Sequence, residues 1–480
     1  MQFIDWSIVV LYLLGVIFLG FWVGRGQRSA RDYFLGNQSI SWWSVALSIV
    51  ATETSALTFI GVPAMSYGGD MTFIQIVIGY VLARFVLAVL FVPHYFKGEI
   101  YSPYQLLTKS FGSAAGRTCA GIFLLAGTLA AGVRVYVTSI PLHLMTNISI
   151  TSSVILFIVL SLVYMYMGGI KSVIWTEVFQ FFLFVGGGIF TLFYVPHLLS
   201  GSFGENWQMA SEAGKTHWLN WKWGWNMPFN IWMGVIGAMV QVLSSHGADQ
   251  LIVQRVLTCR NMNDGRKALI LSGILIFPLF LIFLLCGIFL WMFYQQNSLQ
   301  QALPDGKVDY IFPLFILSEM PVGLRGFLIV AIFAAAMSSV ASALSALSSV
   351  SVMDFIKPRL KQTEDLDKRC MRLGKFSTVF WAVLLIVVAK LSEHQPLVLN
   401  WAFSLNGLTS GAMLGGLGLA LYGAGLNGKA VIVGMCVSVV GMIAMQVAQL
   451  NIFAWPWFTL IGCFLTLIVT WLLNSILKKN

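Results

Sequence analysis

Apolar residues run in long blocks along the whole chain, with polar residues gathered between them. Each block is about 20 residues, enough for a helix to cross the hydrocarbon core of a bilayer. The pattern predicts thirteen membrane helices, over 4–24, 42–66, 72–95, 117–146, 150–168, 171–197, 228–253, 266–294, 325–352, 372–391, 397–422, 428–448 and 453–474. The expected fold class is an all-α polytopic membrane protein, and residues 1–480 form one transmembrane domain.

Polar residues inside the blocks carry the chemistry. The stretch Ala51-Thr52-Glu53-Thr54-Ser55-Ala56-Leu57-Thr58 holds a carboxylate and four hydroxyls at membrane depth. Such groups are tolerated where they line a cavity or bind something. Thr52, Glu53, Thr54, Ser55 and Thr58 cover more than one helical face, which suits a helix unwound at mid-membrane with carbonyls free for a cation. The plainer reading is that the hydroxyls bond to the preceding turn and bend the helix. In the block 325–352, Ala334-Ala335-Ala336-Met337-Ser338-Ser339-Val340-Ala341-Ser342 is a run of small residues. Close helix packing, with serines bonding across helices, accounts for most of it. Ser338 and Ser342 share a face at i and i+4. Their hydroxyls plus carbonyls from an unwound partner make a hard-oxygen site suited to sodium.

Two basic residues and one polar cluster add to this. Arg134 is central in the fourth block, and its planar fork suits a carboxylate. It could equally pair internally with Glu53. Arg84, in the third block, reads as structural or snorkelling. His246, Asp249 and Gln250 end the seventh block as the lining of a polar cavity or a gate; no third ligand stands beside His246 and Asp249 to make a metal site.

Composition narrows the class. With 58% hydrophobic and 10% charged residues, a soluble multidomain protein is excluded. The net charge of +10 is assigned to cytoplasmic loops rather than to nucleic-acid binding. Arg25, Arg28, Arg31, Lys97, Lys109, Lys171, Arg255, Arg260, Arg266, Lys267, the segment 354–375, Lys478 and Lys479 fall on one side if there are thirteen spans. The other side has the connections 198–227 and 295–324, with Asp305, Asp309 and the interfacial tryptophans Trp218, Trp221, Trp223 and Trp225. The N-terminus is thus expected outside and the C-terminus in the cytoplasm of a cell-membrane protein, with the first block a retained helix rather than a cleaved signal. Six cysteines without a CxxC pair argue against disulfides or zinc. No P-loop appears, so transport has no ATP engine; an ion gradient drives it, or the protein is a passive conduit.

Several motifs resemble the sodium:solute symporter family. They are Asp32-Tyr33-Phe34-Leu35-Gly36, the stretch from Ala51, Gly168-Gly169-Ile170-Lys171-Ser172 through Glu177, Asp249-Gln250 with Val253-Gln254-Arg255, and Pro321-Val322-Gly323-Leu324-Arg325-Gly326 running into the Ala-Ser helix. The resemblance covers nearly the whole chain. It implies a LeuT-like fold of two inverted five-helix repeats, at 42–197 and 228–422, preceded by an extra helix and loop in 1–41 and followed by two helices in 428–480. It implies sodium as coupling ion, bound by Ala51, Thr54, Ala335, Ser338 and Ser339. A second sodium would sit at Glu177 and Ser342, although Glu177 replaces the family's Asp and Ala341 replaces a serine. Substrate candidates are Glu53, Ser55, Thr58, Gln75, Arg134, Asp249, Gln250 and Phe403.

The leading expectation is a sodium-coupled secondary symporter, not an enzyme and without catalytic residues. It would work as a monomer in the lipid bilayer and import a small organic anion such as a sialic acid, sugar acid or monocarboxylate. If Glu53 neutralises Arg134, a neutral sugar or polyol becomes the better cargo. A channel or a transport-fold sensor is the alternative of a different class. An intramembrane hydrolase lacks a His–carboxylate–nucleophile set on facing helices.

Overall fold

A backbone surrounded by lipid has no water to bond and must satisfy its own polar groups, so apolar blocks of this kind fold as helices. The computed structural model describes residues 2–146, 148–227, 229–299, 303, 308–392, 398–448 and 452–477. In chain order the helices are α1 (Phe3–Gly24), α2 (Ala30–Leu35), α3 (Trp42–Glu53), α4 (Ala56–Gly68), α5 (Ile74–Leu90), α6 (Val92–Tyr95) and α7 (Tyr104–Phe111). Then come α8 (Ser113–Thr146), α9 (Ile150–His197), α10 (Phe203–Glu212), α11 (Met239–Gly247), α12 (Gln250–Val256) and α13 (Met262–Gln296). The last are α14 (Ile311–Glu319), α15 (Leu324–Val350), α16 (Leu366–Ser392), α17 (Val398–Tyr422), α18 (Gly428–Val447) and α19 (Trp457–Leu477). Among the described residues, eight helices are long and apolar enough to cross a membrane, or nine if α3 and α4, bent by 57°, form one span. The expected blocks 150–168 and 171–197 are the two halves of α9, which non-helical Gly169 (φ 53°, ψ −151°) breaks into two helices at the join between the blocks. A Cβ on Gly169 would lie 2.6 Å from the Tyr33 carbonyl oxygen, so the Gly-Gly motif allows both the turn and the close approach of α2.

Two other helical segments are interrupted among the described residues. α3 stops at Thr54, whose ψ of 81° leaves the helical region, and extended Ser55 (ψ 171°) starts α4. α11 stops at Ala248, and the Asp249 carboxylate accepts the Leu251 amide at 2.8 Å to start α12. A π turn over Met233–Ala238 precedes α11.

The centre of the fold is α15, buried on every side from Leu328 to Val350. Alanine and serine make that possible, because a helix of small side chains lets neighbours come close. It packs on α9, α8, α1, α3 and α12. Its serines bond outward, Ser348 to the Gly374 carbonyl (2.7 Å) and Ser345 to Gln254 (3.2 Å). Ser161 and Tyr164 of α9 both donate to the Met337 carbonyl at 3.2 Å. At its start, the Asp5 carboxylate of α1 accepts the amides of Gly323 (2.8 Å) and Gly326 (3.1 Å), placing negative charge at a helix N-terminus.

The connection around α10 folds over the ends of α4 and α5. Lys215 donates to the carbonyls of Tyr67 (2.8 Å) and Gly69 (2.9 Å), which caps the end of α4. Partial burial holds its ammonium below the ordinary lysine pKa.

Candidate functional site

The break between α3 and α4 changes the backbone bonding at Ala51. The Ser55 amide donates to the Glu53 carbonyl (3.0 Å) rather than back to Ala51, which takes the Ala51 oxygen out of the helical ladder. The Thr54 hydroxyl is buried and has no hydrogen-bond partner. An orphaned buried hydroxyl costs free energy unless something else binds it. On α15, Ser339 donates to the Ala335 carbonyl at 3.2 Å. All five residues implied for sodium are buried. A buried set of hydroxyl and carbonyl oxygens suits a hard monovalent cation.

A second carboxylate joins these two helices. Glu177 of α9 is fully buried and accepts from Ser48 and Thr52 (3.1 Å) of α3 and from Ser338 (3.3 Å) and Ser342 (2.6 Å) of α15. Its counter-charge is Arg255 of α12, which reaches one carboxylate oxygen through Nε (3.0 Å) and the other through Nη2 (2.6 Å). Arg255 also donates to Ser48 (3.0 Å), Ser342 (2.6 Å) and the Leu251 carbonyl. The expectation that Arg255 is a loop charge is corrected: α12 is buried and draws the guanidinium inside, where only a fixed carboxylate sustains it.

Glu53 pairs with Arg84, not with Arg134. Arg84 is fully buried and also meets Ser272 (3.1 Å), the Tyr80 carbonyl (2.9 Å) and His246 Nε2 (3.1 Å). It is therefore no snorkelling side chain; burial forces a counter-charge on it, and Glu53 supplies that charge. His246 Nε2 lies 3.7 Å from the Glu53 carboxylate, and its Nδ1 is 2.9 Å from Ser245. With Arg84 donating to Nε2, the Nδ1 proton goes to Ser245 and the ring is neutral. Glu53 keeps 14% of its side chain exposed, so solvent reaches this trio but not Glu177.

Arg134 is half-buried and makes no hydrogen bond or ion pair among the described residues; it lies within electrostatic reach of Asp249. Ser55 is buried at the start of α4, and Thr58 donates to the Glu53 carbonyl at 3.3 Å. The remaining candidates stand apart. The Gln75 amide is bound to the Thr72 carbonyl (3.1 Å) and the Asn220 amide (3.1 Å). Gln250 donates to the Tyr101 carbonyl (2.7 Å) and to Ser349 (3.3 Å). The side chain of Phe403 lies outside the described residues. No group of three or more His, Cys, Asp or Glu residues able to hold a metal occurs among the described residues, and the six cysteines are unbridged.

Two interrupted helices packed against a buried, hydroxyl-rich helix define a polytopic membrane transporter of LeuT-like fold. A nucleobase-cation-symport-1 family transporter shares that fold with a TM-score of 0.60 at 13% identity, over 95% of this chain and 96% of its own. The profile of the sodium:solute symporter family matches residues 33–441, and the chain belongs to that family. Sodium is accordingly its coupling ion. Over 462 residues it is 30% identical to the sodium/sialic acid symporter of Proteus mirabilis, covering 94% of this chain and 91% of that protein. The substrate-bound, outward-open structure of a Na+-coupled sialic acid symporter superposes with a TM-score of 0.90 at 26% identity, over 99% of this chain and 98% of that one.

Proposed function

We propose that this symporter binds sodium at Ala51, Thr54, Ala335, Ser338 and Ser339 and imports a small organic anion whose carboxylate is held by Arg134. One observation carries the choice of anion: the Glu53 carboxylate is committed to Arg84, which leaves Arg134 without a hydrogen bond or ion pair among the described residues. An unpaired arginine at membrane depth calls for a ligand of opposite charge. Glu53, Ser55 and Thr58 border the same break and would meet the polar part of the solute. The sialic acid carried by the relatives belongs to this class, as do sugar acids and monocarboxylates. A neutral sugar or polyol is the second reading, favoured by Asp249 offsetting the charge of Arg134.

The proposed arrangement is thirteen spans with inverted repeats over 42–197 and 228–422, the N-terminus outside, the C-terminus cytoplasmic and the monomer as functional unit. No catalytic chemistry and no nucleic acid are involved. Sodium would favour the outward-open state and complete the cavity; the bundle then rocks to release both ligands inside.

A thermal-shift screen of the purified protein against sugars, sugar acids, short carboxylates and amino acids, with and without sodium, tests this. A carboxylate ligand that stabilises only with sodium is expected. Arg134→Gln should weaken its binding by about 10- to 100-fold, the loss typical of a charge-assisted hydrogen-bonded pair. Unchanged affinity in that variant would remove the anion and leave the polyol reading. Equal uptake with and without sodium would remove symport at this site.

A further inference from the structure

Glu177 and Ser342, the residues implied for a second sodium, do not fit a free ion. A carboxylate offers about four lone-pair positions. The Glu177 carboxylate already accepts from Ser48, Thr52, Ser338, Ser342 and two nitrogens of Arg255. The hydroxyls of Ser48 and Ser342 are themselves contacted by the same guanidinium, at 3.0 and 2.6 Å. The whole assembly is closed to solvent.

From this geometry we infer that Arg255 is the resident cation of a second hard-oxygen cage, so that the protein takes up one sodium ion per transport cycle rather than two. The inference rests on the sodium site proposed at Ala51, Thr54, Ala335, Ser338 and Ser339. An arginine stays protonated in any protein environment, so the cage never loses its positive charge. A sodium ion at Glu177 would have to displace the guanidinium or sit beside it. Displacement strands a fully buried cation, and coexistence sets two positive charges against one carboxylate in a medium that screens them poorly.

The cage also explains how the single ion is felt across the fold. Ser338 donates its proton to Glu177 at 3.3 Å. Its lone pairs stay available to sodium on the other side of the oxygen. Glu177 thereby acts as a positioning residue, holding the hydroxyl with its lone pairs turned away from the carboxylate. The line from sodium through Ser338 and Glu177 ends at Arg255 on α12, half of the second interrupted span. Filling the first site therefore biases α12 without a second ion.

Equilibrium binding of radioactive sodium to the purified full-length protein in detergent tests the count directly. The wild type should bind one sodium per chain with a Hill slope of 1. Arg255→Gln empties the cage and leaves Glu177 uncompensated, so this variant should bind two, with a slope above 1 and a melting temperature that depends more steeply on sodium. Arg255→Lys retains a tethered cation and should bind one. Two sodium ions in the wild type would overturn the inference, as would a folded Arg255→Gln protein that still binds one. If Arg255→Gln does not fold, the wild-type count decides alone. No saturable sodium binding at all would instead remove the proposed sodium site.

Discussion

Two buried glutamate–arginine pairs stand out among the described residues of this transporter, and they are built differently. Glu177–Arg255 is closed on all sides, wrapped by four hydroxyls, and ties α9 to α12 with α3 and α15 attached. Glu53–Arg84 has one buried end and one open end, with a neutral histidine as third member. A fully enclosed pair whose carboxylate is saturated with donors works as a fixed strut and as a permanent charge. A pair with an exposed carboxylate keeps lone pairs free for whatever enters the adjoining space. In one the arginine stands where an ion could have been; in the other it removes a negative charge that would otherwise repel an anionic cargo.

The comparison breaks most easily at Glu177. Glu177→Leu leaves Arg255 buried without a counter-charge and should cost about 3–5 kcal/mol, read as thermal unfolding in detergent. The double variant Glu177→Leu/Arg255→Met should recover most of that loss. A single variant as stable as the wild type would mean that water already reaches the cage. Glu53→Ala should cost less, about 1–3 kcal/mol, because Arg84 keeps Ser272, His246 and the Tyr80 carbonyl, and solvent can enter where the partly exposed carboxylate stood. Equal losses at Glu53 and Glu177 would erase the distinction between strut and cavity wall. Thr54→Val should have the smallest effect without sodium, within about 0.5 kcal/mol, since the hydroxyl it removes has no partner. Its melting temperature should then rise less than that of the wild type when sodium is added. A large sodium-free loss would mean that the hydroxyl is already engaged.

Much of the fold was legible because lipid leaves the chain few choices. Blocks of about 20 apolar residues must become helices, and a carboxylate with hydroxyls at membrane depth must mark an interruption or a site. The stretch from Ala51 does interrupt its helix, at Thr54 and Ser55. The break at Gly169 was legible as well, because it falls between the apolar blocks 150–168 and 171–197. The site was legible by type rather than by pairing. Arg84 sits 31 residues from Glu53 and Arg255 sits 78 from Glu177, with nothing in local spacing to join them. One available signal was charge balance: an arginine deep in an apolar block, as Arg84 is, demands a carboxylate. Arg255 gave no such signal, because it comes just after the apolar block 228–253 and ahead of Arg260, Arg266 and Lys267, which reads as the start of a basic loop.

The sequence by itself determined the solvent of this protein, its helical class and the interruption in the stretch from Ala51, and it suggested the hard-oxygen character of the proposed ion site. These follow from local composition and from the cost of leaving backbone or charge unsatisfied in hydrocarbon. Only the tertiary structure decided which arginine answers which glutamate. That choice is set by the packing of α5, α12 and α15, which brings distant charges together, and electrostatic energy in a low-dielectric interior depends on those distances rather than on order along the chain. The same packing leaves Arg134 without an ion pair among the described residues, which is what the proposed anionic cargo rests on.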